Sequence, residues 1–128
     1  MLRILILSCC LLAHVVAADH AALCKEISGV CKITPMQTMT NGPTTSAIYM
    51  NQADPKKLAT DLVAAAKAKG FQPMEIPGQA EQNASMNIDQ TLLMKDQVHV
   101  TVMITNTNMP VAQQGITLSV SDLTQAGQ

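Results

Sequence analysis

Gln97-Val98-His99-Val100-Thr101-Val102-Met103-Ile104-Thr105 is the stretch that decides the fold. In an extended chain Val98, Val100, Val102 and Ile104 point one way and His99, Thr101, Met103 and Thr105 the other. That period of two marks a strand with one face on a core and one toward water. Gly115 to Val120 repeats the pattern, with Ile116, Leu118 and Val120 set against Thr117, Ser119 and the following Ser121. Met86 to Met94 reads as a third strand, joined antiparallel to the Gln97 strand by a tight turn at Lys95-Asp96. Phe71 to Ile76 reads as another, placed at a sheet edge because Pro73 cannot donate to a ladder.

Upstream, Asp54-Pro55 supplies an N-cap side chain followed by proline at the first helical position, where its missing N–H costs nothing. Leu58, Leu62, Ala65 and Ala66 recur at helical spacing as one apolar stripe, and Lys67 and Lys69 fall in the last turn, where positive charge suits the helix dipole. Gly70 then provides a left-handed stop, with Phe71 folding back as the apolar contact. Ser46 to Met50 precedes this helix as a short strand. The expected fold is α+β, with about four to five strands in a mostly antiparallel sheet and one main helix packed on its apolar face. With Phe and Tyr nearly absent, methionines such as Met74, Met86 and Met94 are expected to help fill the core.

Asp19 to Ile33 reads as a short helix (Ala21, Ala22, Cys24, Ile27) that stops at Gly29, and Thr34 to Thr45 as a breaker-rich linker. Residues 1–18 resemble a cleaved export signal. Met1 to Arg3 is a short basic start, Ile4 to Ala18 is almost wholly apolar, and Val16, Ala17 and Ala18 are small residues where a peptidase would cut. The apolar run is shorter than the ~20 residues that span a bilayer, so no integral span is expected after cleavage. Cys9 and Cys10 follow too short a run for a lipoprotein signal. The chain thus divides into residues 1–18 as signal, 19–45 as an N-terminal segment with linker, and 46–124 as the α+β domain, and the expected location is periplasmic or secreted. In that oxidising setting Cys24 and Cys31 are expected to form a disulfide. Continuous helix would hold their Cα atoms ~10 Å apart, beyond the ~7 Å a bridge tolerates, so the chain must bend at Ser28-Gly29.

The portion after Ala18 has seven lysines, no arginine and nine acidic residues, a formal charge of −2. Without arginine forks, and with only Tyr49 and Phe71 as aromatic platforms, it has little to bind nucleic acid or to stack on sugars. No nucleic-acid partner is expected. Nor does the sequence hold a phosphate loop, a HExxH or a GxSxG, and its acids stand singly (Asp54, Asp61, Asp89, Asp96). His99, on the polar face of its strand, has a solvated role as its ordinary reading. Catalytic residues are not expected.

Two patterns admit a metal. Methionine thioethers with an imidazole suit Cu(I), and the places for them are Met36 and Met39 in the linker and His99 with Met103 on one strand face. A signal cut after Ala17 would leave Ala18-Asp19-His20, a spacing that wraps Cu(II), though such termini arise by chance. Asn83-Ala84-Ser85 is a glycosylation sequon, expected on a surface loop spanning Gly78 to Ser85. The reading these residues favour is a non-enzymatic exported module that binds an unidentified protein partner through exposed sheet edges or the surface at His99, Thr101 and Met103. The alternative is a copper carrier.

Overall fold

The computed structural model describes residues 19–122; the expected export signal therefore lies outside the described residues. The elements run α1 (Asp19–Val30), β1 (Gln37–Asn41), β2 (Thr44–Tyr49), α2 (Pro55–Ala68), β3 (Gln72–Pro73), α3 (Gln79–Met86), β4 (Ile88–Lys95), β5 (Val98–Thr105), a single 3₁₀ turn (Val111–Gln113) and β6 (Gly115–Asp122). All six strands join one antiparallel sheet in the order β1-β2-β6-β5-β4-β3. The fold is α+β, as the alternation in β5 and β6 requires.

Register follows the side-chain period. Val100 stands opposite Val120 of β6 and Leu93 of β4, and Val102 stands opposite Leu118 and Thr91. This row continues through Ala47 and Tyr49 of β2, which face Leu118 and Ile116. These side chains are buried together with Ile27 and Cys24 of α1, Leu58, Leu62, Ala65 and Ala66 of α2, and Phe71. Both long helices therefore lie on one face of the sheet, α1 over β2 and β6, α2 over β5 and β6. Among the described residues no helix is long and apolar enough to cross a membrane.

Helix α2 begins and ends as its sequence dictates. The Asp54 carboxylate accepts from the Lys57 amide at 3.1 Å, and Pro55 opens the first turn. At the other end the Phe71 N–H donates to the Ala66 carbonyl and the Gly70 N–H to the Lys67 carbonyl, the paired bonds of a Schellman cap, with Gly70 at φ +95° and Phe71 buried.

Several expectations need correction. The expected linker contains a hairpin: β1 and β2 pair across the two-residue turn Gly42-Pro43, with Gly42 at φ +60° in the position a hairpin turn reserves for glycine. Every residue of β1 is exposed, so it carries no apolar alternation for a sequence reading to find. This is the strand that raises the count to six. The polar stretch 78–85 is helical from Gln79 onward rather than a surface loop, and it buries Asn83, whose side-chain oxygen accepts from Gln79 Nε2 at 2.7 Å. The Phe71 strand shrinks to two residues around Pro73.

The core contains no methionine among the described buried residues. Met74 and Met86 are exposed, and Met94 is half-buried on the far side of the sheet. Branched aliphatics, Tyr49 and Phe71 fill the interior instead, because the strand positions facing the helices are Val, Ile and Leu almost throughout.

The expected Cys24–Cys31 disulfide is not seen among the described residues. Both thiols are free, Cys24 buried and Cys31 half-buried. Helix α1 does not bend at Ser28-Gly29 but runs on to Val30, so helical rise keeps the two cysteines apart, and the left-handed turn comes only at Lys32.

Candidate binding face

The strand face that α1 and α2 leave uncovered carries the residues singled out in β5. Its rows cross four strands. Thr44, Ser121, His99 and Met94 form one; Ser46, Ser119, Thr101 and Leu92 the next; Ile48, Thr117, Met103 and Gln90 the third. All twelve residues are half-buried. No Lys, Arg, Asp or Glu stands among them. Within the first two rows short hydroxyls tie β2 to β6, Thr44 Oγ1 to Ser121 Oγ at 2.9 Å and Ser46 Oγ to Ser119 Oγ at 3.1 Å, which fixes these side chains. Cross-strand hydroxyl pairs of this kind stabilise a sheet by roughly 0.2–1 kcal/mol each.

His99 Nε2 lies 3.0 Å from Met94 Sδ, directly across the β4–β5 ladder. Sequence reasoning put His99 with Met103, but four residues along a strand separate Cα atoms by ~13 Å. The neighbour it missed is set by the β4–β5 turn: Asp96, at φ +55°, leads that turn, and Lys95 pairs with Val98, which places Met94 opposite His99. Met39 lies on β1 at the sheet edge, with β2 and β6 between it and β5, and Met36 immediately precedes β1. The four residues considered for copper thus fall in separate places. Among the described residues no group of three or more His, Cys, Asp or Glu converges as a metal site. His20 is buried at the start of α1 with neither ring nitrogen hydrogen-bonded among the described residues, and Ala18 of the copper-wrapping terminus lies outside them.

Under α1, Cys24, Ser28 and Cys31 gather around Tyr49. Burial pushes the Cys24 thiol up to about 11. It also raises Cys31, with the nearby Asp61 carboxylate adding to the effect and Lys57 opposing it. The Tyr49 phenol is raised by burial as well, with the neighbouring Ser28 hydroxyl opposing. Ser28 Oγ donates to the Lys25 carbonyl at 3.1 Å. Thiols held protonated in this way are poor nucleophiles.

Two hollows flank the sheet. One of about 430 Å³ runs between α2 and β4, lined by Lys56, Val63, Lys67, Asp89, Thr91 and Ile104. Another of about 800 Å³ lies between α3 and the start of β4, among Met74, Ile76, Gln79, Asn83 and Ile88. Neither lining includes a histidine or a cysteine, whereas a third hollow of about 360 Å³ between the end of α1 and α2 is lined by Cys31 beside Lys32 and Asp61. Comparison of the chain with protein-family models, with curated proteins and with solved structures finds no match.

Proposed function

We propose that this chain is an exported, non-enzymatic binding module of the cell envelope or secreted space, and that it engages a protein partner through the open sheet face around His99, Thr101 and Met103. One observation carries this reading: a contiguous, half-exposed face of twelve residues with no formal charge, on a chain whose other side is closed by helices. Lys, Glu and Asp are depleted at the centres of protein interfaces, and a face that carries none of them while holding Ile48, Leu92, Met94 and Met103 is less polar than the solvated face of an antiparallel sheet ordinarily is. Hydroxyls already paired with one another add little desolvation cost when a partner covers them. The apolar contributions come from Ile48, Leu92, Met94 and Met103, and methionine adapts its shape to a partner.

The test places charge on the face without touching the core. Thr101→Glu and Met103→Lys both sit at half-exposed positions of β5. Partners captured by the wild-type chain through in situ cross-linking in its own host are expected to be lost with either variant, while the melting temperature stays within a few degrees. Capture that survives both substitutions removes the open face as the binding surface.

A further inference from the structure

The free edge of the sheet at β1 borders the open face, but what it shows does not rest on the function proposed for that face. The Gly42-Pro43 turn closes on the Asn41–Thr44 pair, and β1 matches β2 residue for residue from there. Antiparallel bonding alternates, so Asn41, Met39 and Gln37 bond to β2 while Thr38 and Thr40 aim their N–H and C=O groups outward. The opposite side of β2 agrees: Pro43 accepts from the Asp122 amide of β6 at 2.9 Å, one residue out of phase with the bonds to β1.

Exposed edges are ordinarily blunted by lysine, proline, a bulge or shortness. The far edge of this sheet has two of these devices, since β3 is only two residues long and one of them is Pro73. Strand β1 has neither. Gln37-Thr38-Met39-Thr40-Asn41 is five residues long, uncharged, paired one to one with β2 and exposed throughout, and the register breaks only before its first residue, where the Met36 N–H donates to the carbonyl of Ile48, the partner of Gln37, at 2.7 Å.

We propose that β1 is a self-pairing edge, through which two copies of this chain join antiparallel about a two-fold axis at Met39 into one continuous sheet. The sequence of β1 is what a two-fold edge needs, because each residue then meets its reflection in the strand. Met39 falls opposite Met39 of the second copy as a non-bonded pair. Thr38 falls opposite Thr40 of the second copy as a bonded pair, so every outward N–H and C=O of these threonines finds a partner. Gln37 falls opposite Asn41. Any charge in the strand would be doubled across such an axis, and there is none. Threonine opposite threonine is a favourable cross-strand match.

Exposed apolar side chains lie along the approach to this edge: Val30 (61% exposed), Ile33 (38%), Met36 (65%) and Met39 (45%) fall within ten residues of one another in sequence. The absence of charge argues against a partner recognised electrostatically. Since Met39 continues the row of Ser46, Ser119 and Thr101, pairing would also run the open faces of the two copies together.

Sedimentation equilibrium of the chain as released by its host, from low micromolar to near-millimolar concentration, is expected to show a monomer–dimer equilibrium. Thr38→Pro removes one outward N–H and leaves the β1–β2 bonds intact, as edge proline does; it is expected to shift the equilibrium fully to monomer. Met39→Cys is expected to cross-link two copies on mild oxidation, because non-bonded antiparallel pairs bring Cα atoms to about 4.5 Å. Should Thr38→Pro not fold, Met39→Lys serves in its place by setting like charges against each other. A wild-type chain that stays monomeric throughout, or a dimer that persists in these variants, overturns the proposal. Thr38→Pro keeps the two readings apart, since Thr38 stands opposite Ala47 on the other side of the sheet: loss of the dimer with partner capture unchanged is the expected result, and capture lost with the dimer intact would concern the open face alone.

Discussion

Cys24 shows how packing decides a residue's chemistry. Its thiol is fully buried against the sheet, and desolvation raises it from the ordinary 9.0 to about 11. Ionisation is therefore easier in the unfolded chain than in the folded one. Below pH 9 both states keep the proton and this group makes stability no different; between pH 9 and 11 the unfolded chain gives it up first, and stability falls. The loss by pH 11 is about 2–3 kcal/mol, at 1.36 kcal/mol per unit. Urea melts at pH 8, 9.5 and 11 on the wild-type chain and on Cys24→Ala are expected to show a steeper alkaline decline for the wild type. Parallel declines would mean that the folded state does not hold the thiol protonated. The cysteine spacing alone suggested a bridge; what it lacked was the knowledge that Ser28-Gly29, an ordinary stopping pair, would be carried inside a helix by Ile27 docking on the core.

Among the elements, those legible in the sequence are the ones whose pattern and end signals agree. Helix α2 has a cap, a stripe and a stop, and it forms where all three point. Strands β5 and β6 alternate cleanly and pair as they must. Strand β1 and helix α3 were illegible for the opposite reason. Thr, Gln and Asn at fully exposed positions give β1 no face, and its strand conformation is imposed by the turn at Gly42 and by pairing to β2. Helix α3 is polar almost all round, with Asn83 its buried residue, and is delimited by left-handed residues at Gly78 and Asn87 rather than by an apolar stripe. The end signals of α2 predict their own energetics. Asp54→Ala is expected to cost about 1 kcal/mol through the lost cap. Gly70→Ala is expected to cost at least about 1 kcal/mol, because alanine is strained at φ +95°. Chemical denaturation of the two single variants checks both values, and near-zero effects would show that packing on the sheet, not capping, sets the helix ends.

At the scale of the molecule, the buried apolar side chains among the described residues form one cluster between one sheet face and two helices, which leave the other sheet face uncovered. The face at His99, Thr101 and Met103 was readable from the β5 alternation, but its extent across β2, β6 and β4 was not, since that depends on strand order. The composition, poor in aromatics and rich in methionine, suggested an adaptable methionine core; the structure instead separates the two roles, with aliphatics inside and methionines on edges, loops and the open face. That separation makes a contrast in stability. Leu118 is fully buried at the middle of β6, between Ala47 and Val102, where α1 and α2 both reach β6. Leu118→Ala is expected to cost about 2–5 kcal/mol, a large part of the ~5–15 kcal/mol that holds a domain of this kind together. Met86, at the exposed end of α3, has no such surroundings, and Met86→Ala is expected to change stability by less than about 0.5 kcal/mol. Urea midpoints of the two variants, measured side by side, separate an aliphatic core from a methionine one. A Met86→Ala loss comparable to that of Leu118→Ala would return methionine to the core and with it a looser interior than this sheet and its two helices imply.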